Sequence, residues 1–419
     1  MKPIVSLLIA LVATSATSIE AAAKSPEGEP APLQVVATPE SLAPPFSLGA
    51  DTSTYVRCHY RVNDHANLPE TGWTWARTPT GQYFSLKGRW AYPSLESANL
   101  YFTDTSQGIV ARQCLDTLQR EGKGAFMAAT AADTSFSYDY GIWTNDAAQA
   151  PPGITRMIVF GDSLSDTINA WNRSLRVVPH AKSWSAGRFS NGQVWPEITS
   201  RLTGLDLMNF AFAAAAADGN VLIPGVVQQV DIWRQLRAKG RNMDDSRNVY
   251  IVLIGGNDFI NYGKQADEVL ASVEFAARKL LDDGAERIVL MNLPDISTAP
   301  EVRGGSREAI VRGQVLAFNQ GLEKLRVRLS GPARVDIFDA FSQFASALEH
   351  PADYGIDNVR DSCLNIQGQG PLVYAGRHAV APACKSADTY LFWDRLHPTR
   401  RVHAVLGEAM ADFIASPSR

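Results

Sequence analysis

The sequence has little that would tie it to nucleic acid or hold it in a bilayer. Lys and Arg number 39 against 43 Asp and Glu, a formal charge of -4 at pH 7 with the two signs mixed along the chain. Such a balance offers no basic footprint for nucleic acid and no polybasic patch for a membrane, so nucleic acid is not an expected partner. Beyond the N-terminus no segment approaches the roughly 20 apolar residues of a bilayer span. There are seven histidines and four cysteines; no two cysteines form a C-x-x-C pair and no histidine stands in a metal-ligand spacing. No metal or other cofactor is expected, and there is no internal repeat.

The N-terminus reads "MKPIVSLLIALVATSATSIEAAAKS": a lone Lys, an apolar core, then small residues ending in an Ala-x-Ala site at Ala21 to Ala23. This predicts a cleaved signal peptide over 1–23 and a secreted or periplasmic product, with a retained anchor as the alternative. Cysteines in an exported chain favour disulfides. Four of them allow three connectivities; because two fall early and two late, Cys58 with Cys114 and Cys363 with Cys384 is the favoured pairing.

Residues 24–50 are rich in Pro, Ala and Glu and read as an extended linker. Over 51–147, segments such as "TYVRCHYRV", "GQYFSLKGRWAYP" and "NLYFTDT" carry aromatic and β-branched residues between turn formers, predicting a small β-rich domain. "TNDAAQAPPG", Thr144 to Gly153, reads as a connection. From 154 to 419 the texture alternates: "RMIVF", "VYIVLI" and "RIVLMN" are continuous apolar runs of strands buried on both faces. Amphipathic stretches at Val226 to Lys239, Asp267 to Leu281, Ser306 to Leu329 and Arg401 to Ile414 predict helices. The fold class is α/β, with a parallel sheet between layers of helices.

Ligand sites in open α/β sheets lie outside the carboxyl ends of the strands. "VFGDSLSDT" puts Ser163 just past the first apolar run, and "GGND" puts Asn257 just past the second. A serine hydroxyl needs a base to take its proton, and the base needs a third group to hold one tautomer. "FWDRLHPT" supplies both, with Asp394 three residues before His397. The backbone N–H of Ser163 and the amide of Asn257 are candidate donors to a developing oxyanion.

The ordered segments "FGDSLSDT", "GRFSNGQVWPEI", "NFAFAAAAADG", "GGND", "NLPDISTAP" and "DRLHPT" resemble the sequence blocks of GDSL, or SGNH, esterases and lipases. The resemblance implies a three-layer α/β/α, flavodoxin-like SGNH-hydrolase domain. It also implies Ser163 as nucleophile and first oxyanion donor, Asn257 as a further donor, His397 as base and Asp394 as its orienter. One departure stands out: the second block normally offers a glycine N–H to the oxyanion hole, whereas Ala213, Ala214 and Ala215 fill that run here. The role falls to Ala214, with Gly219 as the alternative. Within the family, "DIFDAFSQFASALEHPADYGIDNVRDSCL" and the aromatic-rich front region resemble secreted bacterial phospholipases of the thermolabile haemolysin or lecithinase type and related lipid acyltransferases. That implies glycerophospholipid acyl esters as substrate and transient contact with a membrane surface.

Trp171, Phe210 and Phe212 are candidates to line an acyl pocket, with plain core packing as the alternative. Trp73, Trp75 and Trp90 are candidates for lipid contact on the same terms. His403 is expected on the outer surface of the last helix. Asp162 and Asp166 read as local caps. The competing functions are a short-chain or carbohydrate O-acetyl esterase, a lipid acyltransferase, and a catalytically silent lipid-binding protein on a hydrolase scaffold.

Overall fold

A computed structural model describes residues 52–63, 67–92, 98–145, 153–219, 222–240, 243–368 and 370–416. The expected signal peptide, the 24–50 linker and most of the 144–153 connection lie outside these residues.

In the front region, β1 (Thr52–Arg61), β2 (Thr71–Trp75), β3 (Ser85–Trp90), β4 (Leu100–Thr103), β5 (Phe126–Ala132) and β6 (Gly141–Thr144) form one sheet. Its order is β2-β1-β3-β4-β6, with β5 also paired to β1. A helix, α1 (Gln107–Arg120), interrupts the strands expected from the sequence. The Ser106 hydroxyl caps it by accepting the Ile109 N–H, and it turns Val110, Cys114, Thr117 and Leu118 inward. A disulfide joins Cys114 of this helix to Cys58 of β1. Trp75 and Trp90 are core residues, since Trp75 lies edge-on to Tyr55 and Trp90 against Tyr101 and Tyr140. Neither is free to meet a lipid.

The second sheet has the order β11-β10-β9-β7-β8, every pair parallel. Its centre is β7 (Arg156–Gly161), β9 (Asn248–Leu253) and β10 (Arg287–Met291), buried along their whole length as the continuous apolar runs require. The edges are β8 (Asp206–Asn209) and β11 (Arg334–Phe338). From β7 the chain steps to β8 in one direction, then through β9 and β10 to β11 in the other. Two short helices, α2 (Asn169–Arg173) and α5 (Gly256–Ile260), follow the carboxyl ends of β7 and β9. Of the longer helices, α3 (Trp195–Thr203) packs against β8, while α4 (Val226–Arg237), α6 (Ala266–Asp282) and α7 (Glu308–Arg328) pack side by side, the grouping that right-handed crossovers on two faces of the sheet produce. After β11 comes α8 (Ala340–Glu349), capped by the Asp339 carboxylate. The last helix, α9 (Arg400–Ala415), returns to pack on α3, where Gly407 lies so close to Ile198 that a Cβ would stand 2.8 Å from it. His403 is consequently buried, not exposed as its position on the helix suggests.

The two sheets share one interior. Trp143 of β6 is fully buried with its ring 5.3 Å from that of Trp233 on α4, under the Arg156 guanidinium at 4.2 Å. Asn172 donates to the Asp139 carbonyl and accepts the Asp139 N–H, at 2.7 and 3.2 Å. The direction reversal at β7 opens a crevice where the loops after β7 and β9 meet, the position at which open α/β sheets bind ligands.

Candidate active site

The loop after β7 holds Asp162, Ser163 and Asp166. Asp166 fixes its shape: one carboxylate oxygen accepts the N–H groups of Ile168 and Asn169, and the other accepts those of Ala170 and Ala213. Burial pushes the Asp166 carboxyl up to about 6, against the pull of those four donors. Through Ala213, the serine turn and the alanine run become one rigid unit. Asp162 accepts the Leu164 N–H at 3.0 Å, and burial pushes its carboxyl up to about 7.

Three distant segments then converge. The His397 Nε2 lies 2.8 Å from the Ser163 Oγ, and its Nδ1 lies 2.8 and 2.9 Å from the two Asp394 oxygens. Nδ1–H donating to a carboxylate leaves Nε2 as the acceptor for the serine hydroxyl. Asp394 is fully buried; desolvation works to raise its pKa, but His397, the N–H groups of Leu396 and His397 and the Trp184 indole hold it below the usual range. It is thus kept anionic beside the imidazole.

Trp184, whose indole N–H donates to Asp394 Oδ2 at 2.8 Å, carries no mark in the sequence. Its neighbourhood "SWSAGRFSNG" serves as a clamp on the histidine loop: Ser190 donates to the Pro398 carbonyl, and Asn191 accepts the Arg400 N–H. Phe189 and Tyr374 flank the imidazole with rings 5.2 and 5.6 Å away.

Asn257, in the first turn of α5, anchors one amide hydrogen on the Ala215 carbonyl at 3.0 Å and accepts from Asn261. A primary amide has a second hydrogen, and Asn257 lines the cavities beside Ser163. In the alanine run, the N–H groups of Ala213 and Ala215 go to Asp166 and to the Phe212 carbonyl. Ala214 stands between them at φ 63°, in the left-handed region that glycine adopts without strain, which explains why glycine suits this position. The alternative donor Gly219 commits its N–H to Gln228, and neither cavity beside Ser163 includes it.

Two cavities meet at Ser163, Asn257 and His397. One, of about 80 Å³, is walled mostly by apolar side chains such as Ile296, Phe344, Phe392 and Val405. The other, of about 220 Å³, is bounded by Val177, Phe212, Ile223 and Tyr374. Phe212 therefore reaches the site. Trp171 and Phe210 do not: Trp171 is buried away from both cavities, and Phe210 stacks on Phe160 with Trp233 beside it. His403 borders the smaller cavity, and burial pushes it down to about 3, so it stays neutral. Among the described residues there is no cluster of His, Cys, Asp and Glu suited to a metal ion.

Residues 157–410 match the sequence profile of the GDSL-like lipase/acylhydrolase family, and residues 27–145 match the N-terminal domain of the Vibrio dual lipase/transferase. The chain is 33% identical over 418 residues to the thermolabile hemolysin of Vibrio parahaemolyticus, covering 98% of this chain and 97% of that one. It is 30% identical over 318 residues to the phosphatidylcholine-sterol acyltransferase of Aeromonas hydrophila, covering 65% and 94%. A secreted effector protein of Salmonella typhimurium is 25% identical over 280 residues, covering 62% and 64%. With its α/β/α architecture and a profile match across most of that domain, the chain belongs to the GDSL-like lipase/acylhydrolase family and is a serine hydrolase of ester bonds.

Proposed function

We propose that the protein is an exported hydrolase of glycerophospholipid acyl esters working through an acyl-enzyme on Ser163. The observation that carries this reading is the Ser163–His397–Asp394 chain of hydrogen bonds at the meeting point of two largely apolar cavities. His397 Nε2 takes the serine proton as Oγ attacks the ester carbonyl, and returns it to the departing alcohol; a water then repeats the cycle on the acyl-enzyme. The Ser163 and Ala214 N–H groups and the second Asn257 amide hydrogen are the donors to the oxyanion. Asp394 keeps the proton on Nδ1 and balances the imidazolium. Support for a lipid substrate comes from the apolar walls beside Ser163 and from the relatives, a hemolysin and a phosphatidylcholine-sterol acyltransferase. Two disulfides and the N-terminal signal-like segment support export.

A second reading, transfer of the acyl group to an alcohol in place of water, is favoured by the match of the front region to a dual lipase/transferase domain. Product analysis on phosphatidylcholine in mixed micelles, with and without a sterol, tests both. Free fatty acid and lysophospholipid are expected without sterol, steryl ester appears if transfer competes, and Ser163→Ala abolishes both. Turnover of a soluble aryl ester without any acyl release from phosphatidylcholine would overturn the lipid assignment while leaving the hydrolase intact.

A further inference from the structure

The larger cavity opens between two loops. One, 173–184, begins at the end of α2 and contributes Arg173, Ser174, Val177 and Val178 to the wall; the other, 366–376, contributes Ile366, Gly370, Pro371 and Val373. Each loop also carries a large apolar side chain that stays outside the cavity wall and is left in solvent: Leu175 is 52% exposed and Leu372 is 53% exposed. Beside the first loop stands a third such side chain, Phe136, 91% exposed at the tip of a turn in the front region.

These projections are held in place. Leu175 and Arg176 both lie in the left-handed region, at φ 54° and 68°, a conformation uncommon for any non-glycine residue and rarer still for two in succession. Arg176 then reaches across to the front region, donating to the carbonyls of Ser137 at 2.7 Å and Ser135 at 3.4 Å and to Asp139 at 3.3 Å. Arg57 grips the same turn from below, through the Ser137 carbonyl and Asp139. Phe136 is thus presented on a turn pinned by two guanidiniums, and Leu175 sits next to the residue that does the pinning. Chain that is so restrained and still leaves its largest apolar side chains uncovered is organised to meet something apolar.

Charge narrows what that is. Asp133 and Asp139 flank the Phe136 turn and Asp139 pairs with Arg176, but the two loops at the cavity mouth, 173–184 and 366–380, contain no Asp or Glu and add Arg173, Lys182 and Arg377, in a chain that is acidic overall. Apolar tips among cations match an interface that has a hydrocarbon interior beneath a layer of phosphates. Resting on the lipid-hydrolase reading above, we infer that Phe136, Leu175 and Leu372 form an anchoring rim that seats the mouth of the Ser163 cavity on a phospholipid bilayer. A lipid then moves from the bilayer to Ser163 without crossing water.

The test uses the full chain carrying Ser163→Ala, so that vesicles are not consumed, and measures co-sedimentation with vesicles of phosphatidylcholine and of phosphatidylcholine with phosphatidylglycerol. Partial burial of one such side chain is worth about tenfold in partitioning, so Phe136→Ser, Leu175→Ser and Leu372→Ser together are expected to weaken binding by about 1,000-fold. In the parent with Ser163 intact, the same three changes should leave kcat/KM for a soluble p-nitrophenyl ester unchanged. Phe136→Trp alone, with every other residue kept, should show an emission shift to shorter wavelength on adding vesicles. Unchanged vesicle binding by the triple variant, or no emission shift, overturns the rim. So does a parent that sediments as a dimer which the triple variant dissolves, because the surface would then be covered by a second copy. Failure here with phosphatidylcholine still hydrolysed in micelles leaves the substrate assignment standing.

Discussion

Asp394→Asn exchanges one carboxylate oxygen for an NH2, and the surrounding donors dictate how the new amide must sit. The N–H groups of Leu396 and His397 both point at Oδ1 from 2.8 Å, so the amide oxygen has to occupy that position. Its NH2 then takes the place of Oδ2, where it faces the Trp184 N–H and the His397 Nδ1, each 2.8 Å away. Donation to Nδ1 moves the imidazole proton to Nε2, the nitrogen 2.8 Å from Ser163, and that nitrogen can no longer accept the serine proton. The same substitution costs a well-studied serine protease about 10⁴ in kcat, equivalent to about 5.5 kcal/mol, and a loss of that order is expected here. The introduced amide and the Trp184 indole would then oppose N–H to N–H, which adds a stability cost of about 1–3 kcal/mol for an unsatisfied buried donor. Trp184 is fully buried, so Trp184→Phe carries a packing cost of its own, but in the double variant it removes one of the two opposed donors, and the two changes should lower Tm by less than their sum without recovering turnover. Initial rates on p-nitrophenyl butyrate, paired with thermal denaturation, decide the matter. A single variant within about tenfold of the parent refutes the tautomer argument, and a double variant that regains activity would show that Trp184 obstructs the site.

Asp162→Asn keeps an acceptor for the Leu164 N–H but removes a carboxyl that burial pushes up to about 7. Between the unfolded value of about 3.9 and that figure, the folded protein holds a proton the unfolded chain has released, so stability is lost as pH rises through this window. The variant should therefore melt higher than the parent at pH 8 and equally at pH 4; an equal gain at both values contradicts the assignment. The disulfide between Cys363 and Cys384 spans a sequence separation of 21 beside Trp184 and Trp393. Replacing both cysteines by serine should lower stability by about 3 kcal/mol in chemical denaturation, and a loss below about 1 kcal/mol would indicate that packing alone holds the loop.

The reacting groups are legible in the sequence because each sits in a short segment whose chemistry is local. Asp394 and His397 are three residues apart, and Ser163 and Asn257 each closely follow an apolar run long enough to be read as a buried strand. The sheet centre is legible for the same reason. Its edges are not, since "DLMN" and "RVDIF" mix polar with apolar residues as half-exposed strands do. Trp184 is beyond reach, because its partner lies 210 positions away and nothing local marks an indole as a hydrogen-bond donor to a carboxylate. Phe210 and Trp171 stay out of the two cavities beside Ser163 for a related reason: the side of the sheet end each faces depends on the packing of α4 and α2, which sequence spacing does not state. His403 departs from its expected exposure because its face of the last helix packs on α3, where the Trp195 N–H points at its Nδ1 and Gly407 lies close to Ile198.

The paired indoles of Trp143 and Trp233 have a consequence for how the molecule comes apart. Cleavage of the 144–153 connection would leave the pieces clasped, and a front fragment made alone would carry a bare tryptophan where its partner's floor should be. Heating should accordingly give one calorimetric peak spanning both sheets. Any exchange of front regions among relatives would have to carry the underlying aromatic pair along with it, as a joint cut from two timbers cannot be refitted to a third.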